Sequence, residues 1–254
     1  MAAGSVFEGI AKQQRWFVLA GLAAVAIVGL LATLQTGDML MMADPETGGI
    51  LAYAVLLFAM WWTMMRAMML PSAAPAILTY GALSRKFSEK GAYAAPLGIF
   101  VAGYGLIWTG FSVAAVALQM LLSDVIALSM MMAVTSAAIG GGLLVAAGLY
   151  QFTPLKASCL KNCQSPLMFL GRHWQPGNRG ALRMGLMHGL YCLGCCWVLM
   201  GLLFYGGVME LRWIVGLALY VAVEKLVPAG NRLSQFTGLL LIGWGCWTIY
   251  HAVV

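Results

Sequence analysis

Charged residues are scarce in this sequence. Among its 254 residues, 14 are Lys or Arg and 8 are Asp or Glu, so 9% of the chain is charged, against about a quarter in an ordinary soluble domain. Hydrophobic residues make up 62%. A soluble fold could not hide that much apolar surface, which predicts that lipid surrounds most of the chain.

The sequence also lacks two motifs that would indicate nucleotide or nucleic-acid chemistry. It has no phosphate-binding loop of the Gly-x4-Gly-Lys form, so ATP-driven pumping by this chain alone is not supported. Its basic residues lie at the ends of apolar runs rather than in one patch interleaved with aromatics. That distribution favours a topological role for the net charge of +6 and argues against nucleic-acid binding.

Long apolar runs are abundant. Two runs, Trp16 to Gln35 and Ala94 to Ser123, carry no charge. Each is at least as long as the roughly 20 residues needed to span a hydrocarbon core. The first run reads as a retained helix, because its core is too long for a signal peptide and no small-residue cleavage site follows. We predict an all-α, polytopic transmembrane helix bundle in a single domain, 1–254, with about seven spans: 16–36, 50–70, 94–122, 125–150, 182–207, 209–227 and 233–253.

The basic residues orient this bundle. With the N-terminus inside and the C-terminus outside, the outer loops contain only Arg212, whereas the inner segments contain twelve basic residues: Lys12, Arg15, Arg85, Lys86, Lys90, Lys156, Lys161, Arg172, Arg179, Arg183, Lys225 and Arg232. An excess of Lys and Arg marks the cytoplasmic side. We therefore expect an integral protein of a bacterial inner membrane.

Two segments interrupt the regular pattern. Pro71 and Pro75 follow the second span, and because proline removes a backbone donor and clashes with the preceding turn, we expect the helix to kink or break there. The second segment, 151–181, is predicted to be a long cytoplasmic loop that carries Cys159 and Cys163. Their four-residue spacing places both sulfurs on one side of a helical turn, where they could chelate a cation.

The fifth span concentrates polar and sulfur-bearing side chains. At 3.6 residues per turn, Met184, His188, Cys192 and Cys195 share one helix face, with Cys196 beside Cys192. Thiolate and thioether ligands select soft cations such as Cu(I), while thiols with imidazole also suit Zn(II). A single buried Cys is usually only a small filler, but an intramembrane His needs a partner. We expect a metal site here, for Cu(I) first and zinc second.

Two further features of the spans concern packing and charge. Methionines recur in the second span at Met60, Met64 and Met68, with Met65 and Met69 beside them, and such stripes more often reflect packing than a conduit. Arg66 interrupts the same apolar stretch. Glu224 is the acid placed to pair with it inside the bundle, as a structural or a gating pair, whereas Lys225 is expected to snorkel.

Four segments carry a resemblance to a known family. They are AMMLPSA at 67–73, LKASCLKNCQSPL at 155–167, GLMHGLYCLGCCW at 185–197 and EKL at 224–226. Together they resemble a bacterial family of predicted metal-binding integral membrane proteins, catalogued as a domain of unknown function. The resemblance covers about 50–230 and leaves out the first and last spans. It implies metal binding in a membrane and supplies no substrate or reaction.

Three functions follow as hypotheses. The first is a non-enzymatic protein that binds Cu(I) and moves it across the bilayer or delivers it to a partner, with Cys159 and Cys163 exchanging metal with the cytoplasm. The second is a membrane thiol oxidoreductase that uses Cys192 and Cys195. The third is an accessory subunit that packs against a membrane-protein partner or a second copy of the chain.

Overall fold

The computed structural model describes residues 2–42, 49–89, 95–123 and 132–253. Within these ranges the chain forms eleven helices and no strand, which confirms the all-α prediction. In chain order they are α1 (Ala2–Met42), α2 (Ile50–Ser72), α3 (Ala74–Glu89), α4 (Leu97–Ser123), α5 (Ala137–Tyr150), α6 (Pro154–Gln164), α7 (Pro166–His173), α8 (Gly177–Gly201), α9 (Leu203–Gly206), α10 (Leu211–Leu226) and α11 (Gly230–Val253).

The described helices include four segments that are long and apolar enough to cross a membrane: Leu19–Leu40, Ile50–Ser72, Leu97–Ser123 and Gly177–Gly206. The pair α5 and α6, bent by 66° at a short break, counts as a fifth if it forms one broken span. These segments match four of the seven predicted spans, and the predicted 125–150 span begins outside the described residues. The seven-span count and the orientation therefore stay predictions.

The predicted span at 209–227 corresponds to a shorter helix. Helix α10 has 16 residues, which extend about 24 Å at 1.5 Å per residue, less than the roughly 30 Å of a hydrocarbon core. The last predicted span corresponds to the 24-residue helix α11. Because α11 packs along α5 and also contacts α10, both helices belong to the bundle.

Close helix pairs build this bundle, and the pair α4 and α8 positions the candidate site. A Cβ atom at Gly103 would lie 2.5 Å from the carbonyl oxygen of Leu182, and one at Gly185 would overlap the carbonyl of Phe100. Small residues at such a crossing allow two helix backbones to approach closely. The crossing brings Tyr104 of α4 against the cysteine-bearing face of α8.

The predicted break at the prolines is confirmed. Helix α2 ends at Ser72, one residue after Pro71, and α3 begins at Ala74, just before Pro75. The Met69 carbonyl, near this break, accepts hydrogen bonds from the Tyr104 and Ser72 hydroxyls, both at 2.9 Å. The end of α2 thus presents polar groups to the interior of the bundle.

The prediction of a loop over 151–181 is wrong for most of that segment. Residues 154–164 and 166–173 form α6 and α7, and both begin with a proline, which is well suited to the first helical position. The Thr153 hydroxyl caps α6 by accepting a hydrogen bond from the Lys156 N–H. Because α6 packs on α8, Cys159 and Cys163 are buried instead of lying in an open loop.

Candidate metal centre

One face of α8 carries the predicted ligands into the bundle interior. Met184, His188, Cys192, Cys195 and Cys196 are each at most 2% exposed. Their spacing of three or four residues keeps them on one side of the helix, and that side faces the neighbouring helices. The prediction that these side chains share a buried face is confirmed.

Helix α6 adds its two cysteines to the same cluster. The Cys163 side chain interacts directly with Cys195 of α8. Cys159 lies one turn earlier, and a Cβ atom at Gly194 would come within 2.6 Å of its sulfur. Glycine at 194 therefore lets α6 sit close to α8, and the two predicted groups of cysteines form one thiol cluster.

The thiols of this cluster are held by the backbone of their own helix. Cys195 Sγ and Cys196 Sγ both donate to the carbonyl oxygen of Cys192 at 3.0 Å. Such bonds to the carbonyl three or four residues earlier are common for small polar side chains in apolar helices. Cys196 Sγ also lies 4.0 Å from Met69 Sδ of α2, so a thioether adjoins the thiols.

The Lys225 side chain points inward and contacts the cluster, which corrects the expectation that it snorkels. Its Nζ donates to Cys192 Sγ at 2.9 Å and to the Ser72 hydroxyl at 3.1 Å. The Tyr104 hydroxyl approaches the same Cys192 sulfur at 3.0 Å. A primary ammonium and a phenol therefore contact one cysteine sulfur in the interior of the protein.

His188 lies one turn before Cys192 and is enclosed by aromatic rings. Its ring centroid is 6.1 Å from Phe100, 5.8 Å from Tyr104 and 5.5 Å from Phe169. The buried Nδ1 atom has no hydrogen-bond partner in the part of the chain that the structure describes. A buried polar atom without a partner is costly. This nitrogen therefore has an open position that a metal ion or a hydrogen-bond donor could fill.

Met184 is the predicted ligand that the structure does not bring to the thiols. It lies eight residues before Cys192 on the same helix, a rise of about 12 Å at 1.5 Å per residue. The structure describes no contact between its sulfur and a cysteine. Its burial is explained by its place at the packed face of α8.

The predicted pairing of Arg66 with Glu224 is wrong. Glu224 pairs with Lys156 instead, with Nζ at 2.8 Å from Oε1 and both side chains fully buried. The Arg66 guanidinium stacks over the Trp62 ring at 3.6 Å from its centroid and donates to the Thr109 hydroxyl at 3.2 Å. Arg66 therefore places its charge against an aromatic ring and a hydroxyl, while its buried Nη1 has no hydrogen-bond partner among the described residues.

No three His, Cys, Asp or Glu side chains converge with metal-binding geometry within residues 2–42, 49–89, 95–123 and 132–253. The Cys195 and Cys196 thiols are directed instead at the Cys192 carbonyl. Metal ligation would require these side chains to rotate and to lose their protons, because a metal binds the thiolate.

A comparison with known families matches most of the chain. Residues 58–248 match the family described as PpoB2: Copper chaperone. The chain belongs to the PpoB2 copper chaperone family. No curated protein and no solved structure matches it. The PpoB2 match contains every cluster residue and runs well into α11, so the last predicted span lies largely inside the family region rather than outside it.

The donors of this PpoB2 family member are chemically compatible with copper. Thiols and a thioether are soft ligands that favour Cu(I), and imidazole is compatible with copper. Among the described residues no carboxylate is available to the cluster, because the buried acid near it, Glu224, is held by Lys156 and by the Tyr220 hydroxyl. The residues present therefore suit a soft cation better than a hard one.

Sequence reasoning missed three residues of this site: Lys225, Tyr104 and Met69. The signal for Lys225 was present, since an ionisable residue inside an apolar segment is a functional hypothesis by default. Met69 belonged to a stripe that is more often packing. Tyr104 carries no sequence signal at all, because only the crossing of α4 and α8 places its hydroxyl beside Cys192.

Proposed function

We propose that this protein is an integral membrane copper chaperone that binds Cu(I) at the buried sulfur cluster and delivers it to a partner protein. The observation that carries the proposal is the proximity of Cys163 from α6 to the buried Cys192, Cys195 and Cys196 of α8; ligation would require these side chains to rotate toward one ion. Membership of a copper chaperone family supports the identity of the cargo.

Sulfur chemistry supports Cu(I) over hard cations. Cu(I) needs only two or three soft ligands, and four thiols with the Met69 thioether exceed that number. Zinc also is chemically compatible with thiols and imidazole, and the four thiols could supply the four ligands that it most often takes; family membership therefore carries the choice of copper. Competition between Cu(I) and Zn(II) for the purified protein separates the two ions.

The membrane location is part of the proposal. Four described segments have the length and composition of membrane spans, and large apolar side chains such as Val28, Leu121 and Leu239 are exposed on helix surfaces. An exposed apolar surface of this kind needs lipid or another protein to cover it. We propose a bacterial inner-membrane protein with about seven spans, its N-terminus inside and its C-terminus outside.

In this orientation the segment with α6 and α7 lies at the cytoplasmic side. Cys159 and Cys163 would then receive or release copper on that side, next to the deeper thiols of α8. Burial of Cys192 and Cys195, at 1% and 0% exposure, makes them poorly accessible to a partner disulfide. Thiol–disulfide exchange and copper transfer both require access to the sulfur, so burial does not decide between them, and membership of a copper chaperone family favours copper handling over the oxidoreductase alternative.

The decisive experiment measures copper in the purified, detergent-solubilised protein after loading with Cu(I) under reducing conditions. The wild-type chain should retain copper, and the triple variant Cys192→Ser, Cys195→Ser, Cys196→Ser should lose it. Cys246→Ser is the matched control, because Cys246 is exposed on α11 and outside the cluster. Equal copper content in the triple variant and the wild type would refute the proposed site.

A further inference from the structure

Lys225 is the positive charge in direct contact with the thiol cluster. Its side chain enters from the last turn of α10 and is 6% exposed. The ammonium donates to Cys192 Sγ and to the Ser72 hydroxyl, and that hydroxyl in turn donates to the Met69 carbonyl. The two contacts fix Nζ beside the sulfur.

No acidic side chain in the described ranges pairs with Lys225. The adjacent acid, Glu224, points to Lys156 at 2.8 Å, and the other ion pair joins Glu210 with Arg212 at the surface. An unpaired buried charge is expensive. A lysine kept here without a carboxylate therefore needs a negative partner of another kind, and the group in contact with it is a cysteine sulfur.

Copper ligation supplies that negative charge. Cu(I) carries one positive charge and two thiolates carry two negative charges, so a two-thiolate Cu(I) complex has one negative charge in excess. A single ammonium in contact with the complex makes the buried group neutral. We infer that Lys225 is the charge-compensating residue of the copper site and positions the Cys192 thiolate as a ligand; this inference rests on the proposed function.

The loading step balances without any redox change. Copper arrives as a Cu(I) thiolate complex of a small thiol or a thiol-bearing protein. Two protein thiols, Cys192 and one of its neighbours, exchange with the donor's two thiolates, which take up the two released protons. Copper stays Cu(I), and the Lys225 ammonium keeps its proton throughout.

Mercury(II) is the probe that isolates charge from structure. It forms the same linear two-thiolate arrangement as Cu(I), but its complex has no excess charge. Lys225→Met should weaken Cu(I) binding by about tenfold or more, the scale of a lost buried charge partner, and leave Hg(II) binding within about twofold of the wild type. Lys225→Arg, which keeps the charge, should retain Cu(I) binding better than Lys225→Met.

The controls separate this inference from the proposed function. Lys161→Met removes an exposed lysine of α6 and should change neither the Cu(I) nor the Hg(II) affinity. If Lys225→Met is not recovered in a folded state, Lys225→Gln serves as a second neutral variant. Equal losses of Cu(I) and Hg(II), or unchanged Cu(I) binding in the neutral variants, would overturn the role of Lys225. A wild-type protein that fails to bind Cu(I), or whose copper is unaffected by Cys192→Ser, would instead overturn the proposed function.

Discussion

At the scale of single residues, the thioether of Met69 adjoins the thiol cluster. Met69 is fully buried at the end of α2, and its sulfur lies 4.0 Å from Cys196 Sγ. Met65, one turn earlier, is equally buried. Both methionines are therefore buried on the same helix, but the structure places only the Met69 sulfur beside a cysteine sulfur among the contacts that it describes.

Met69→Leu should lower Cu(I) affinity by about tenfold, which corresponds to about 1.4 kcal/mol, because leucine keeps the volume but has no sulfur ligand. Titration against a Cu(I) chelator of known affinity measures the change. Met65→Leu is the matched control, since a volume-conserving exchange is usually tolerated. The same loss in both variants would mean that packing, not ligation, explains the effect.

His188 supplies the second test at this scale. Its Nδ1 has no hydrogen-bond partner among the described residues, so the imidazole is available as an additional copper ligand, whereas a redox pair of cysteines would not use it. His188→Ala should therefore reduce copper affinity by an amount comparable to Cys192→Ser. If copper content is unchanged while Cys192 and Cys195 are recovered as a disulfide, the oxidoreductase hypothesis replaces the copper chaperone.

At the scale of helices, the buried Lys156–Glu224 pair ties α6 to α10. Both side chains are fully buried, and Gln164 of α6 adds bonds from Nε2 to the carbonyls of Glu224 and Val227 at 2.9 and 3.0 Å. These contacts hold the helix that carries Cys159 and Cys163 against the one that carries Lys225. The geometry of the cluster thus depends on this inter-helix pair.

Glu224→Leu should lower stability by about 3–5 kcal/mol, because it leaves the Lys156 ammonium buried and unpaired. The double variant Lys156→Met, Glu224→Leu should recover part of that loss, since no charge then remains unpaired. Thermal unfolding in detergent measures both. Glu210→Leu is the control at an exposed pair, where surface ion pairs contribute little. Strictly additive losses in the double variant would show that the two charges do not interact.

The crossing of α4 and α8 gives a second prediction for the helices. Gly103→Ala should destabilise the protein by about 1–3 kcal/mol, the usual cost of overpacking, because the added methyl group would meet the Leu182 carbonyl oxygen. Gly110→Ala on the same helix has open space around it and should be tolerated. Thermal unfolding compares the two variants, and an equally tolerated Gly103→Ala would contradict the tight crossing.

At the scale of the whole molecule, topology decides which side of the membrane exchanges copper. Lys161 and Arg212 are both exposed and lie on opposite predicted faces. In a Cys246→Ser background, where the five remaining cysteines are buried, an impermeant thiol reagent applied to intact cells should label Arg212→Cys and spare Lys161→Cys. Labelling of Lys161→Cys before cell lysis would reverse the proposed orientation and the copper exchange route.

The sequence by itself determined the features that depend on local pattern. The scarcity of charge, the long apolar runs and the three- and four-residue spacing of His188, Cys192, Cys195 and Cys196 indicate buried helices with a soft-ligand face. Pro71 predicts the helix break because its ring and missing N–H act within one turn. Each of these properties is set by neighbours a few residues apart along the chain.

Tertiary structure decided which distant residues meet. Glu224 could pair with Arg66, Lys156 or Lys225 as far as composition shows, and only the packing of α6, α8 and α10 assigns it to Lys156. The same packing places the segment expected to be a loop against α8 and brings the Cys163 thiol beside the Cys195 thiol. It also directs the Lys225 side chain inward to Cys192. The physical reason is that a buried charge pairs with whichever group three-dimensional packing brings within a few ångströms of it. The separation of two residues along the chain does not determine their distance in the folded protein.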